Sequence, residues 1–341
     1  MNPTPKPQPL PRSLGDSGPA VFPLGLGCMG MSDFYGPADR AESLATIRTA
    51  LDSGIELLDT GDYYGMGHNE LLVSEALRAV PRERVQISVK FGALRDPAGN
   101  WLGYDGRPAA VRNFVAYSLR RLGTDHIDIY RLGRVDPAVP IEETVGAIAR
   151  LIEEGYVRHV GLSEAGAETV RRACATHPVA DLQIEYSLVS RGIEADILPT
   201  CRELGVAITA YGVLSRGLLS GHWSGDRESR AGDFRNYLPR FSGENLQHNL
   251  GRVERLRALA AARGATPAQL AIAWVLARGS DIVPILGSRT RLQLEEALGA
   301  LAIELGADEM QEIEAALPAD TLAGERYPPA LMKYLDSERQ A

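Results

Sequence analysis

Short apolar runs alternate with amphipathic segments along most of the chain. Runs such as "VQISVK" and "IDIYRL" are rich in β-branched residues and predict strands, whereas residues 108–122 and 141–154 repeat apolar positions at the spacing of a helix face. The alternation gives eight strand-plus-helix units with no linker between them. We therefore predict an α/β fold, a (β/α)8 barrel of the TIM type in a single domain, rather than two doubly wound halves.

The individual elements follow from the same pattern. The predicted strands are "FPLGLGC", "IELLDT", "VQISVK", "IDIYRL", "VRHVGLS", "LQIEY", "VAITAYG" and "IVPILG". The predicted helices span residues 40–53, 69–80, 108–122, 141–154, 167–175, 193–204, 250–262, 267–277, 291–298 and 307–316. Asn69 is expected to cap the second of these helices.

Three segments fall outside the alternation. Residues 1–11 are rich in proline and lack the apolar centre of a secretory signal, so they predict a loose N-terminal arm. The barrel is expected to occupy residues 12–341. It would contain a polar loop insertion at about 216–247, which is expected to close over a ligand, and a C-terminal tail at about 318–341.

Charge and cysteine usage narrow the class of protein. The net charge of −8 and a pI near 5.4 disfavour a nucleic-acid or anionic-membrane partner, and no apolar run approaches the roughly 20 residues of a membrane helix. Cys28, Cys174 and Cys201 are scattered, which disfavours a disulfide framework or a thiolate metal site. We expect a cytoplasmic, metal-free protein that acts on a small molecule, as a monomer or a homo-oligomer.

Three polar residues stand where a barrel places its chemistry, at the C-terminal ends of strands. Asp59 ends the second predicted strand, Tyr64 follows in the loop, and Lys90 ends the third strand. A buried carboxylate needs a partner, and a structural ion pair with Lys90 would by itself explain both charges. Tyr64 adds a phenol, whose ordinary pKa of about 10 would fall beside a buried ammonium. Together they predict proton donation to a carbonyl oxygen while hydride arrives from elsewhere.

The run "GLGCMG" at residues 25–30 matches the G-x-G-x-x-G pattern of dinucleotide-binding folds. Those folds require a helix to begin at the glycines, but the next helical pattern starts only near residue 40. We therefore expect these glycines to let the backbone approach a ligand at the end of the first strand.

The run "ILGSRTRLQLEEA" places Gly287, Ser288 and Arg289 between the last strand and a helix. Barrels often bind phosphate in this position, and Arg289 is suited to chelate it. An ordinary helix with a serine cap and exposed arginines would explain the same residues, so both interpretations stay open.

Eight motifs, in the expected order, resemble those of the aldo-keto reductase family. They are "GLGCMGMSDFYG", "LLDTGDYYG", "VKFG", "IDIYRLGRVDP", "PIEETVGAIARLIEEGYVRHVGLSE", "LQIEYSLVSR", "AYGVLSRGLLSG" and "IVPILGSRTRLQLEEALGA". The sequence looks most like the bacterial and plant branch of NADPH-dependent carbonyl reductases. The resemblance implies a nicotinamide cofactor across the C-terminal face of the barrel and reversible reduction of an aldehyde or ketone to an alcohol.

The resemblance also assigns roles to residues of this chain. Tyr64 would be the proton donor, Lys90 the partner that lowers its pKa, and Asp59 the carboxylate that holds the lysine. The residues implied to bind the cofactor are Gly30, Met31, Ser163, Gln183, Tyr211, Leu214, Arg216, Gly217, Leu219, Gly287, Ser288, Arg289, Gln293 and Glu296.

Parts of the cofactor are implied to meet particular members of this set. Gly30 and Met31 would lie near the nicotinamide, and Ser163 and Gln183 would bind its carboxamide. The ring would stack on Tyr211 or Tyr186. The segment 214–219 would hold the pyrophosphate. Ser288 and Arg289 would take the 2′-phosphate, which favours NADPH over NADH, and residues 293 and 296 would lie near the adenine.

The sequence departs from the family at Gly133, in "YRLGRVDP". The family motif ordinarily has histidine before "RVDP", where it orients the substrate carbonyl. His126 lies at the other end of the strand and cannot replace it. Arg131 points to the same side of the strand as residue 133, and it would either reach the carbonyl or pair with a carboxylate inside the barrel. The glycine fits a reductase adapted to an unusual substrate, a protein with little turnover, or an engineered substitution.

Other functions remain open at this point. One alternative is a regulatory or redox-sensing protein that binds NADPH with vestigial catalysis, and another is a Schiff-base enzyme that uses Lys90. For a reductase, Phe34, Tyr35 and Trp101 are expected to line the substrate pocket, with the insertion and the tail near Tyr327. Ordinary loop packing would explain the same aromatic residues.

Overall fold

Eight parallel strands form the centre of the computed structural model, which describes residues 9–224, 231–319 and 321–339. Each strand pairs with the next in the chain and the eighth pairs with the first, so the sheet is a closed barrel. The strands are β1 (Gly25–Gly27), β2 (Leu57–Gly61), β3 (Gln86–Phe91), β4 (Ile127–Leu132), β5 (Val157–Ser163), β6 (Val179–Glu185), β7 (Ala207–Tyr211) and β8 (Ile282–Gly287). The prediction of a (β/α)8 barrel is confirmed.

Ten α-helices of seven or more residues surround these strands in the described part of the chain. They are α1 (Arg40–Asp52), α2 (His68–Leu77), α3 (Pro108–Leu122), α4 (Ile141–Glu153), α5 (Ala167–Thr176), α6 (Ile197–Glu203), α7 (Gly243–Ala262), α8 (Pro267–Ala277), α9 (Arg291–Leu298) and α10 (Ala307–Ala316). None of the described helices is both long enough and apolar enough to cross a membrane.

The strands are buried on both faces because their side chains alternate between two apolar regions. Leu57 belongs to a small cluster inside the barrel, whereas its neighbour Leu58 packs in the large cluster between strands and helices. Val283 and Ile282 divide in the same way on β8. Burial on both sides explains why these segments read as continuous apolar runs.

An N-terminal hairpin closes one end of the barrel. Arg12–Ser13 pairs with Ala20–Val21, and the fully buried Leu14 and Val21 join the apolar cluster inside the strands. The Arg12 guanidinium donates to the carbonyls of Leu276 and Gly279 at 2.8 and 2.7 Å. The opposite end, where the strands terminate, is therefore left for a ligand.

Three helices begin at positions that differ from the sequence expectation. Helix α2 begins at His68, so Asn69 does not cap it; Asn69 is buried, and its amide donates to the Cys28 carbonyl at 2.9 Å. Helix α7 begins at Gly243, seven residues before the predicted start at 250, because the polar end of the insertion is already helical. The predicted helix 193–204 is broken, because Asp196 caps a new start at Ile197.

Replacing Leu14 with alanine tests the role of the hairpin. We expect Leu14→Ala to lower the free energy of unfolding by about 2–5 kcal/mol, because it leaves a cavity in the layer that seals the barrel. The matched change Leu10→Ala removes a side chain that is 85% exposed and should shift stability by less than about 0.5 kcal/mol. Chemical denaturation followed by circular dichroism measures both, and equal stabilities would contradict the sealing role.

Candidate active site

A cavity of about 1250 Å³ opens at the C-terminal ends of the strands. Pockets for one drug-sized ligand measure about 300–1,000 Å³, so this cavity has room for a larger ligand or for two. Most of the residues predicted from the sequence line it: Gly30, Phe34, Tyr35, Asp59, Tyr64, Lys90, Trp101, Gln183, Tyr211, Leu214, Arg216, Gly217, Gly287, Ser288, Arg289, Gln293 and Glu296.

Other predicted residues lie behind the cavity wall. Met31 and Leu219 are buried in the hydrophobic core, because the short turns that carry them direct Met29 and Gly217 to the cavity instead. Ser163 is buried too, and its hydroxyl accepts from Arg134 at 3.4 Å. Met31 and Leu219 thus do not line the cavity, and their contact with a cofactor stays a prediction.

Tyr186 is the less suitable of the two tyrosines considered for ring stacking. It is fully buried, its hydroxyl donates to Glu194 at 2.6 Å, and its ring packs on Trp274 away from the cavity. Tyr211 lines the cavity, and its hydroxyl donates to Glu164 at 2.6 Å. A cofactor ring therefore has access only to Tyr211 of this pair.

Asp59 joins three strands at the foot of the cavity. Its carboxylate forms an ion pair with Lys90 and accepts hydrogen bonds from Ser88 and Gln183, each at 2.9 Å. Burial lowers the pKa of Lys90, and the adjacent Asp59 opposes that shift. The Lys90 ammonium lies 5.2 Å from the centre of the Tyr64 ring. The predicted Asp59, Lys90 and Tyr64 constellation is thus assembled in space.

Glycine makes room for the Tyr64 ring at the end of β2. A Cβ atom at Gly61 would lie only 3.2 Å from Cε1 and Cζ of Tyr64, so a side chain there would crowd the phenol. The loop then turns through Gly65, Met66 and Gly67, which all have positive φ angles of 55°, 53° and 95°. This left-handed turn, costly at Met66, leads the chain from the phenol into helix α2.

The electrostatics of Tyr64 differ from the sequence expectation. Its pKa is raised well above the ordinary value, first by burial and then by the nearby Tyr63 and Asp59. The expected lowering by Lys90 does not dominate, because burial, Tyr63 and the Asp59 charge all raise this pKa. At neutral pH Tyr64 is therefore a protonated phenol, which suits a donor of protons.

Arg131 pairs with a carboxylate inside the barrel, which is the second of the two roles considered for it. Its guanidinium binds Asp181 at 2.9 Å inside the barrel and lies 3.9 Å from Asp59. A Cβ at Gly161 would lie 2.7 Å from the Asp181 carboxylate, so only glycine leaves space for this pair. Arg131 is engaged below the cavity and does not line it, so a reach to the substrate carbonyl is wrong.

Sequence reasoning did not assign a role to Arg134, which lines the cavity directly after Gly133. Its guanidinium donates to the Gly133 carbonyl at 2.6 Å and to the Tyr327 hydroxyl at 3.4 Å. Its positive charge also counteracts the raised pKa of Tyr64. The only sequence signal was a cation immediately beyond a strand end.

The insertion covers the cavity by pairing with the loop after β1. The Phe234 amide donates to the Phe34 carbonyl at 2.6 Å, and the Gly36 amide donates to the Gly232 carbonyl at 3.2 Å. The Arg235 guanidinium lies over the Tyr35 ring, 4.9 Å from its centre. Residues 225–230 of the predicted insertion lie outside the described residues.

The predicted anion site, residues 287–289, also lines the cavity. Thr290 caps helix α9 by accepting from the Gln293 amide, and the Arg289 amide donates to the Gln293 side chain at 2.8 Å. The Arg289 guanidinium donates to the carbonyls of Tyr35, at 2.9 Å, and of Pro37. Arg289 thereby connects the helix start to the loop that covers the cavity.

The C-terminal tail is fastened to the strand ends by charge. Arg326 binds Glu164, with one nitrogen–oxygen distance of 2.7 Å, and lies 3.4 Å from Glu185. Burial alone would raise the pKa of Glu164, but Arg326, together with Arg134 and Tyr211, holds that pKa well below its ordinary value. Next to it, the Tyr327 hydroxyl lies 3.1 Å from that of Tyr211. The tail therefore forms one wall of the cavity.

Replacing Arg326 tests this attachment. The Ser337 amide, which donates to the Glu164 carbonyl at 3.0 Å, is the reporter. We expect Arg326→Met to accelerate its hydrogen exchange roughly 10²-fold or more, because removing one partner of a buried ion pair costs about 3–5 kcal/mol. Arg339→Met removes a tail arginine that is half exposed and should change the rate less than about threefold. The same rate in both variants would show that the charges do not hold the tail.

Sequence comparison relates the chain to a known family. The model of the aldo/keto reductase family matches residues 23–318. A probable aldo-keto reductase from Glycine max is 43% identical over 318 residues, which cover 93% of this chain and 91% of that protein.

Solved structures show the same relationship. The glycerol dehydrogenase AKR11B4 from Gluconobacter oxydans superposes with a TM-score of 0.82 at 27% identity, covering 98% of each chain. The holo form of the aldo-keto reductase AKR11C1 from Bacillus halodurans gives a TM-score of 0.74 at 26% identity, over 90% of this chain and 96% of that one. The thermostable aldo-keto reductase Tm1743, in complex with the inhibitor epalrestat, gives 0.72 at 27% identity over 90% of this chain and 100% of its own.

Proposed function

Because the chain belongs to the aldo/keto reductase family, and is thus an oxidoreductase acting on carbonyl or CH–OH groups, we propose that it reduces an aldehyde or ketone with NADPH. Tyr64 is the proton donor in this proposal. The observation that carries it is the position of Tyr64 beside the Asp59–Lys90 pair, in the same cavity as Ser288 and Arg289. One cavity thus offers an acid for a carbonyl oxygen and an anion site for a dinucleotide.

The residues present fit a nicotinamide dinucleotide. The loop after β7 bends through Ser215, Arg216 and Gly217 with positive φ angles of 45°, 56° and 96°, a strained backbone of the kind found around bound anions. When bound, the nicotinamide would supply the hydride. Leu214, Arg216 and Gly217 would hold the pyrophosphate, and Tyr211 would pack on the ring.

The proton chemistry follows from the charges around Tyr64. Burial keeps the phenol neutral, so it has a proton to donate to the carbonyl oxygen. The Lys90 ammonium, held by Asp59, lies close enough to stabilise the phenolate that remains. Alcohol oxidation would begin from that phenolate, so the raised pKa favours reduction at neutral pH. The same ion pair favours an ammonium over the neutral amine that a Schiff-base mechanism needs.

Gly133 stands, in this proposal, at the position where the family motif has histidine. Its amide donates to the Phe91 carbonyl at 2.8 Å, which holds the backbone beside the end of β3. The adjoining "RVDP" segment supports the alignment. A reductase without that imidazole needs another group to orient the substrate.

Replacing Tyr64 tests the proton donor. Tyr64→Phe removes only the hydroxyl, and we expect kcat/KM for carbonyl reduction to fall about 10²–10⁴-fold. The Kd for NADPH, measured by fluorescence titration, should stay within about threefold of that of the unaltered protein, because the ring remains.

The surface variant Tyr117→Phe, at a side chain 58% exposed, is the control and should keep full turnover. Undiminished turnover in Tyr64→Phe would exclude the proposed role. Tight NADPH binding with no turnover by the unaltered protein, across a panel of aldehydes and ketones, would favour a regulatory protein instead.

Replacing Arg289 tests the choice of NADPH. We expect Arg289→Ala to raise the Kd for NADPH about 10- to 100-fold, because it loses charge-assisted hydrogen bonds to the 2′-phosphate. The Kd for NADH should change less than about threefold. Arg291→Ala is the matched control, since that guanidinium pairs with Glu42 at 2.9 Å. Equal weakening of both cofactors would mean that Arg289 acts only by holding the Tyr35–Pro37 loop.

A further inference from the structure

A second phenol lies beside Tyr64 at the foot of the cavity. Tyr63 is 92% buried and lines the cavity. Its ring lies edge-on to that of Tyr64, with 4.9 Å between the centres, and edge-on to Trp101 at 5.6 Å. Rings on both sides fix its orientation, so its hydroxyl has a defined position next to the proposed proton donor.

That position is the space into which a side chain at residue 133 would point. A Cβ atom on Gly133 would lie 3.2 Å from the Tyr63 hydroxyl oxygen and 3.2 Å from Cε1 of the same ring. It would also lie 3.2 Å from Cε1 of Tyr104, which approaches with its ring edge. Of these two tyrosines, only Tyr63 brings its hydroxyl to within 3.2 Å of this point.

The chemistry of a carbonyl gives this hydroxyl a use. A carbonyl oxygen accepts two hydrogen bonds, and a donor placed where charge develops stabilises the transition state. The Tyr64 hydroxyl would donate the first of these two hydrogen bonds to the carbonyl oxygen. Burial raises the pKa of Tyr63 well above its ordinary value, so it is a neutral donor, while the nearby Arg134 charge opposes that shift and strengthens the donor.

We propose that the Tyr63 hydroxyl donates the second hydrogen bond to the substrate carbonyl oxygen, from the space that Gly133 leaves open. Tyr63 is then a catalytic residue, and Gly133 leaves room for its hydroxyl because it has no side chain. The inference rests on the proposed function, because it needs Tyr64 as the first donor. It further implies that positions 63 and 133 are coupled: a large side chain at one excludes a large side chain at the other.

The isosteric variant Tyr63→Phe is the direct test. It keeps the ring contacts and removes the hydroxyl, so we expect kcat to fall about 10²-fold with little change in KM. The Kd for NADPH should not change. Tyr104→Phe removes the neighbouring phenol hydroxyl, and its loss in kcat should be at least about tenfold smaller.

An exchange of the two side chains tests the coupling. Gly133→His alone should reduce kcat/KM, because the imidazole meets the Tyr63 ring. Tyr63→Ala alone should also be slow. The double variant Gly133→His with Tyr63→Ala should exceed Tyr63→Ala in kcat/KM by at least about tenfold, because histidine then supplies the missing donor. This exchange decides the matter even if Tyr63→Phe proves poorly folded.

The outcomes separate this inference from the proposed function. If Tyr64→Phe is inactive while Tyr63→Phe turns over like the unaltered protein, the second donor is excluded and the reductase proposal stands. Equal losses in Tyr63→Phe and Tyr104→Phe, or no gain in the double variant, would likewise overturn it. If the unaltered protein reduces no carbonyl with NADPH, both proposals fail together.

Discussion

The buried carboxylate of Asp59 is the interaction on which the site depends. It lies in the middle of β2, and its partners are Ser88 and Lys90 on β3 and Gln183 on β6, across the barrel. Removing this carboxylate would leave the buried Lys90 ammonium without its ion-pair partner, which costs several kcal/mol of folding free energy. A group bound on three sides cannot shift without disturbing three strands. The position of the lysine and the closure of the barrel are therefore linked.

Charged residues of alternating sign continue from Asp59 into the interior of the barrel, away from the cavity. Arg131 lies 3.9 Å from Asp59 and binds Asp181, which also accepts from the Thr209 hydroxyl at 2.5 Å. Below that layer the barrel interior is apolar and closed by Leu14 of the N-terminal hairpin. The interior thus changes from apolar to charged along its axis. This asymmetry, together with the sealed lower end, confines polar ligands to the upper mouth.

The strands, most helices and the Asp59, Lys90 and Tyr64 constellation were predictable, because each follows from local periodicity and from a rule about strand ends. The burial of Met31 in the core was not predictable, because it is set by a short turn whose geometry the sequence pattern does not encode. The raised pKa of Tyr64 was also missed. It depends on burial and on the nearby Tyr63 and Asp59, all of which require the assembled cavity. Tail contacts such as Arg326 with Glu164 join residues 162 positions apart, and no local signal marks them.

The proposed role of Tyr63 depends on the surroundings of Gly133 in the barrel and not on its place in the motif. Read along the chain, a glycine at this position is a missing side chain. In the barrel, the volume beside it holds the Tyr63 hydroxyl, which comes from the loop after a different strand. In the proposed reaction, a donor from the loop after β2 acts where the family motif has a donor at the end of β4, because a carbonyl oxygen responds to the position of the donor and not to the strand that carries it. Whether carbonyl reduction is possible then depends on which donors line the cavity, more than on which residues the motif contains.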